Sequence, residues 1–481
     1  MDEIRVGLDF GTHQTKICVS RIPDEGHGVP EYEFFQFTDQ KGVEHFFIPS
    51  VVQINNDDTL SYGFVDSSKE NNRYVRPVMK YIPPVEEIDI EDETERICEK
   101  YLKGSSYDED KYNAVLTMLK AKHSIDIENN KKERKEAHEN YERELEQYRL
   151  HRNVYRYFKQ ATFTNHPWDG KYSSETLSIW YIAYILFLLE KRYPEGFAIN
   201  MGVPTDDKNY NQMQELGSRI LLSAYYLVEE VYHQDLRAFL NEKIDNLIAK
   251  TTLLPFSADE KEFNRINIFP EAYASLIGLT SRRKLVDGMS LNADIGGGTT
   301  DISFFVVENG KPKIYKYWSL PYGLNYIAEQ SGFDYSEGNF VDKAHDDVID
   351  DFNEKKKRIV VELERDLLMK VRSTTIDKSS LLSALKNRVV VYNGGGSIYD
   401  SIAIEFPHFN DVRKSSIELW KDEIVKDMDR VSKYVNILTT SYGLSVSEED
   451  SEVELCDFNS LFSESIKDGD YEKSEIDKDV C

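Results

Sequence analysis

Two distant stretches of this chain are spelled alike: Val6-Gly-Leu-Asp9-Phe-Gly11-Thr12 and Asn292-Ala-Asp294-Ile-Gly296-Gly297-Gly298-Thr299-Thr300-Asp301. In each, a short apolar strand delivers an Asp, the backbone turns through glycine, a Thr follows and a second strand starts. Ile4, Val6 and Leu8 before the first turn, and Ile17 and Val19 after it, alternate as a half-buried strand pair requires. Leu291, Ala293 and Ile295, then Ile302, Phe304 and Val306, repeat the pattern. Glycine leaves backbone N–H groups unshielded, so such a turn binds phosphate oxygens. An Asp at a strand end holds Mg²⁺ through the ion's waters. Two such hairpins facing one another would clamp a nucleotide polyphosphate from both sides, which predicts an ATPase.

The 481 residues suffice for two large lobes with separate cores. A formal charge of −27 argues against a surface that tracks nucleic-acid phosphates, since that binding needs clustered Lys and Arg. Cys18, Cys98, Cys456 and Cys481 are scattered and form no metal-ligand spacing, so reduced thiols in a cytoplasmic protein are expected. The charged N-terminus enters a strand at once and shows no signal peptide. The most apolar run, Leu177 to Leu189, is shorter than the roughly 20 residues of a membrane span and reads as a buried helix.

Residues 1 to about 84 read mostly as strand, including Tyr32–Phe37 and Phe46–Ile54. From about 85 to 165 the chain turns charged, and Tyr141, Leu145, Tyr148, Arg152 and Tyr155 recur at 4-3-4-3 spacing. That is one narrow stripe on a long helix, either a solvated helix or a partner-docking arm. A buried helix at 175–191 and a strand at Phe197–Val203 ending at Pro204 follow. Two helices (roughly 208–232 and 234–250), an amphipathic segment around 341–371 and the run Val390 to Ser397 complete the order. The final forty residues are acidic, with a short docking segment expected at Leu455–Phe462.

In that order the chain resembles the actin/hexokinase/heat-shock ATPase superfamily, most closely the ATPase domain of DnaK-like seventy-kilodalton chaperones. Gly7-Leu-Asp-Phe-Gly-Thr12 resembles the first phosphate motif and Asp294–Asp301 the second. Phe47-Ile-Pro-Ser-Val-Val52 resembles the family's "PSVV" strand, and Val390–Ser397 its adenosine motif. The resemblance implies an α/β, two-lobed actin-like fold of duplicated ribonuclease-H-like domains. The first lobe would span 1–205 with the helical insertion at 85–165, the second lobe plus closing helix 206–445, and an acidic tail 446–481. No peptide-binding β-sandwich is expected. The Gly-Gly-Gly-Ser loop and the order Phe269-Pro270-Glu271 lean instead toward plasmid-segregation actins.

The resemblance implies ATP or ADP with Mg²⁺ as ligands. Asp9 and Asp294 would hold the Mg²⁺ hydration shell; alone, each would read as a cap on a turn. Gly11, Thr12 and His13 would contact phosphates from one side, with His13 (a Thr in the chaperones) also readable as a plain loop residue. Gly296, Gly297, Gly298, Thr299 and Thr300 would form the opposing cradle, and Thr299 would orient the lytic water. Lys80 stands where the chaperones carry a catalytic lysine, and also reads as a surface residue. Glu271 reads either as the group orienting the water or as a helix-start acid, and Glu175 as a helix-start carboxylate. Gly394, Gly395, Gly396 and Ser397 would receive adenosine. The expected function is an ATP-hydrolysing DnaK-like switch or chaperone-type protein acting on partner proteins through the arm and tail, without direct nucleic-acid or membrane binding. A filament-forming actin-like ATPase or other homo-oligomer, a small-molecule kinase and a non-hydrolysing nucleotide scaffold are the alternatives.

Overall fold

The computed structural model is a mixed α/β protein. It describes residues 3–23, 29–65, 77, 79–85, 89–101, 109–164, 166–168, 170–206, 208–252, 265–280, 288–308, 311–333, 340–372, 390–402, 424–446 and 454–461. The chain divides into two compact units: Met1–Glu70, Asn153–Ile327 and Val341–Cys481 form one, and Asn71–Arg152 with Ala328–Phe340 the other.

In the larger unit, β1 (Glu3–Phe10), β2 (Gln14–Ile22) and β3 (Glu31–Phe34) form an antiparallel meander. The segments β4 (Phe37–Thr38) and β5 (Glu44–His45) make a small ribbon, and β6 (Ile48–Pro49) pairs with the start of β2. A three-stranded sheet holds β7 (Val52–Ile54), β8 (Leu60–Tyr62) and β9 (Val154–Tyr155). Next come β10 (Ala198–Val203), parallel beside β1, and β11 (Ile266–Pro270), parallel beside β10. A second meander follows, of β12 (Gly288–Ile295), β13 (Thr300–Glu308) and β14 (Lys311–Leu320). Here β15 (Val390–Asn393) adds in parallel beside β12. Two short strands, β16 (Ile424–Val425) and β17 (Glu454–Leu455), join the outer edges of β3 and β14, each in parallel.

The two large sheets therefore share one plan: a three-stranded meander with a parallel strand laid beside its first member. The division expected at 205/206 is not where the sheets part, because β11 extends the first sheet by pairing with β10. Parallel strands need a crossover, and the helix Tyr210–Tyr226 lies in that connection.

The apolar run folds as the helix Ser174–Arg192, capped by the Ser173 hydroxyl and hydrophobic on all sides, so it is buried all round. Trp180, Tyr181 and Leu186 are fully enclosed in a core with Val6, Leu8, Met201 and Val203. Glu175 does more than begin this helix, since its carboxylate accepts two hydrogen bonds from Arg219, at 2.8 and 3.1 Å. Among the described residues no helix is long and apolar enough to cross a membrane.

A second core gathers around the closing helix Val435–Ser445, where Val435, Leu438 and Tyr442 meet Ala272, Leu276, Phe305 and Val391. Gly7 permits the closest approach of that helix to β1. A Cβ there would strike the Ser441 carbonyl and lie 2.5 Å from the Ser445 nitrogen. The last carbonyls of a helix lack intrahelical partners. Here Asn200 Nδ2 donates to Leu444 O at 2.7 Å and Ser20 Oγ to Ser445 O at 2.6 Å.

The smaller unit contains the helices Ile90–Tyr101 and Glu109–His151. The latter has 43 residues and is about 65 Å long at 1.5 Å per residue. Among its described residues Leu145 and Tyr148 are buried and Tyr141 is half-buried, but Tyr155 is not on the stripe. The helix stops at His151, and Tyr155 enters β9, where pairing with Val52 and burial override the helical spacing. Residues 447–453 and 462–481 of the expected tail lie outside the described residues.

Candidate functional site

The first hairpin turn is braced by the "PSVV" segment. Ser50 donates its N–H to His13 O at 2.8 Å and its hydroxyl to Gly11 O at 2.7 Å. The second turn is braced from behind by the helix Leu324–Ser331, whose first N–H groups donate to Gly296 O at 3.0 Å and Gly297 O at 2.8 Å. The two turns face and touch one another. His13 Nε2 hydrogen-bonds Asn325 Oδ1 across the gap, and Gln160 Nε2 donates to Gly298 O at 3.0 Å. A Cβ on Gly297 would collide with the His13 ring, and one on Gly298 would lie 2.5 Å from Thr12 Oγ1.

Asp9 and Asp294 occupy matching places in the two sheets, each near the end of its first strand. Asp9, 5% exposed, binds Lys16 at 2.6 Å, its register partner across the hairpin. Burial alone would lower the Lys16 ammonium, but Asp9, Asp294 and Glu271 outweigh it and hold the group above its ordinary range. Asp294 is raised by burial, with Asp9 adding to the effect and Lys16 opposing it. Its carboxylate accepts from Thr440 Oγ1 of the closing helix at 2.8 Å. Gly394, at φ +77°, turns tightly beside it, where a Cβ would hit Asp294 Oδ1. The loop Gly394–Ser397 is fastened by Ser397 Oγ donating to Gly394 O at 2.7 Å, and by Gly394 N donating to Asn436 O of the closing helix.

Glu271 opens the helix Glu271–Thr280 and is buried against Lys159, 2.7 Å away. Burial raises its carboxyl despite that ammonium. Asp301 is raised well above the usual carboxylate range by burial and by Glu271. It accepts from Thr299 Oγ1 at 3.0 Å through Oδ2, and the Ser319 side chain partly offsets the rise. Thr300 turns away from this group, donating to Tyr322 O at 2.8 Å.

Asp9, Glu271, Asp294 and Asp301 are thus brought together with Thr12, His13, Thr299 and the two glycine turns. Lys80 belongs to the smaller unit, is largely exposed and pairs with Glu133 at 3.3 Å. The lysine held against Glu271 is Lys159, which the 85–165 insertion concealed, and Lys16 is a second cation the motif reading passed over. A signal for Lys16 was present: a lysine inside an apolar strand, flanked by Thr15 and Ile17.

The donor set fits a hydrated divalent cation bound to a polyphosphate. Lys16 and two sets of turn N–H groups would face phosphate oxygens, and Asp9 and Asp294 would face the cation's waters. Among the described residues no three His, Cys, Asp or Glu side chains form a cluster that could ligate a metal directly. Comparison with protein-family models and with curated proteins gave no match.

Proposed function

We propose that the chain is an ATP-binding and ATP-hydrolysing molecular switch, built on the two-lobed actin-like plan of duplicated ribonuclease-H-like domains and acting on partner proteins. The observation that carries this reading is the meeting of the two glycine hairpins, each from the same position of a sheet with the same strand plan, with one buried Asp at each. An unrelated fold has no reason to make that arrangement twice and face the copies together.

Bound Mg²⁺-ATP would bring a γ-phosphoryl group and a leaving group suited to in-line attack by water. Asp9 and Asp294 would hold the hydrated cation. Lys16 and the N–H groups of both turns would balance phosphate charge. Glu271, fixed by Lys159, is the candidate for orienting water and taking its proton. Asp301 holds the Thr299 hydroxyl in place. The Gly394–Ser397 loop would receive adenosine.

Calorimetry with Mg²⁺-ATP and steady-state phosphate release test the reading. Asp9→Asn and Asp294→Asn each lose turnover, Lys159→Ala loses it too, and Lys80→Ala keeps it. Absence of any ATP binding by the wild-type chain would overturn the proposal. For the partner role, capture from lysate with and without ATP is compared between the whole chain and one lacking residues 90–150; identical partner sets would remove the arm from the reading.

A further inference from the structure

The strand β14 is the last long member of the second sheet, and its outer edge carries Lys313 and Lys316. Beside it runs the helix Asp346–Arg372, which contributes Asp366 and Lys370. Lys313 pairs with Glu308 at 2.9 Å and Lys316 with Asp366, so the lysines of this face are balanced by the chain's own carboxylates. An exposed strand edge is a template for another strand, and lysines along it discourage pairing with a like-charged copy of itself.

The face is covered by the segment Glu454–Leu461. Glu454 and Leu455 pair in parallel with Lys313 and Ile314, and Cys456 N donates to Ile314 O at 2.8 Å. Beyond the two paired residues the chain leaves the strand and Phe458 becomes the anchor. Its ring lies 4.4 Å from Lys316 Nζ and 5.6 Å from Lys370 Nζ. Lys370 also donates to Asn459 O at 2.9 Å, and Lys316 is oriented by Asp366 at 2.5 Å. Leu461 is buried at the far end. Strand addition supplies affinity through the backbone, and side-chain pockets supply specificity. Cation–π contact adds a preference for an aromatic anchor. A ladder of two residues is short, so most of the hold on this segment comes from Phe458 and Leu461.

We infer that the β14 edge and the neighbouring helix form a docking site for linear peptides carrying a Phe anchor, and that the chain's own segment 454–461 occupies it as an intramolecular ligand. A partner presenting a Phe with a Leu three positions later fits the same contacts and displaces the tail. The site is independent of the nucleotide cleft.

A fluorescent peptide of residues 452–463, with Cys456→Ser to prevent disulfides, probes the site by anisotropy against the full chain. The Phe458→Ala/Leu461→Ala chain is expected to bind it at least tenfold more tightly than the wild-type chain. Adding Lys370→Glu to that variant should abolish the gain, and a peptide carrying Phe458→Ala should not bind. Lys316→Gln serves as a second test that keeps the charge pattern milder, with melting curves verifying that each variant is folded. Equal binding to wild type and the tail variant, or no loss on Lys370→Glu in a folded chain, overturns the inference. Wild-type dimers that vanish in the tail variant would place a second copy's tail in the site and overturn intramolecular occupancy.

Discussion

Lys159 and Glu271 share the interior at 3% and 8% side-chain exposure, too deep for solvent to compensate the loss of either. Removing one partner of a buried pair strands the other charge, at a cost of about 3–5 kcal/mol. Lys159→Met is therefore expected to lower the urea midpoint strongly, whereas Lys159→Met/Glu271→Met recovers much of the loss while still lacking turnover. A full double-mutant cycle read by urea unfolding and phosphate release separates the structural from the catalytic part. This pair also marks where the sequence ran out. Both hairpins and the glycine loop are local patterns, so spacing and residue type identify them. Lys159 and Glu271 are 112 positions apart. No local periodicity carries such a contact, and Lys80 took its place because it follows the right strand.

At the scale of one element, the helix Asp346–Arg372 contains Lys356, which is enclosed with its ammonium donating to Ile402 O at 2.8 Å and lying 4.0 Å from the Phe352 ring. Burial lowers its pKa to about 7. The folded state therefore releases this proton more readily than the unfolded chain, whose lysine titrates near 10.5. The contribution to stability is fully present above 10.5 and is lost as pH falls toward 7. Lys356→Met should flatten the pH dependence of the unfolding midpoint across that window and raise the midpoint at its lower end. An unchanged slope would count against the buried ammonium. The closing helix gives a second expectation. Gly7→Ala forces a Cβ onto the Ser441 carbonyl, an overpacking worth about 1–3 kcal/mol, and shifts Thr440 relative to Asp294. Lower thermal stability should thus accompany weaker Mg²⁺-ATP binding, whereas Thr440→Val should weaken binding with little loss of stability. The amphipathic segment and the buried helix were readable from residue type, yet the end of the arm helix was not. Tyr155 keeps the helical spacing while β7 claims it for a sheet.

For the whole molecule, a ligand that binds only the folded state stabilises it in proportion to its occupancy. Mg²⁺-ATP at 100 times its dissociation constant should add about 2.7 kcal/mol. Deleting residues 90–150 should leave that increment unchanged, because the residues proposed to hold the nucleotide lie in the larger unit and the deleted helices in the smaller. Differential scanning calorimetry with and without nucleotide checks both statements. The chain is expected to stay in the supernatant on ultracentrifugation with ATP; nucleotide-dependent pelleting would favour the filament-forming alternative. The strand plan of both sheets was implied by the paired motifs, but the division between them was not, since β11 is recruited to the first sheet from beyond the expected boundary.

The closing helix has a consequence for how this protein comes to exist. Ser20 meets its partner carbonyl 425 residues further along the chain, and Asn200 meets one 244 residues on. During synthesis the ribosome extrudes β1 and β2 first, with the groove at Gly7 unfilled and part of the sheet's apolar face bare. Synthesis must pass residue 445 before Val435–Ser445 can settle there, anchor Asp294 through Thr440 and fasten the Gly394 loop through Asn436. Contacts that distant close slowly and leave nascent chains open to aggregation. A premature stop shortly before residue 435 should therefore yield a chain with every phosphate motif intact, no competent cleft and a strong tendency to aggregate.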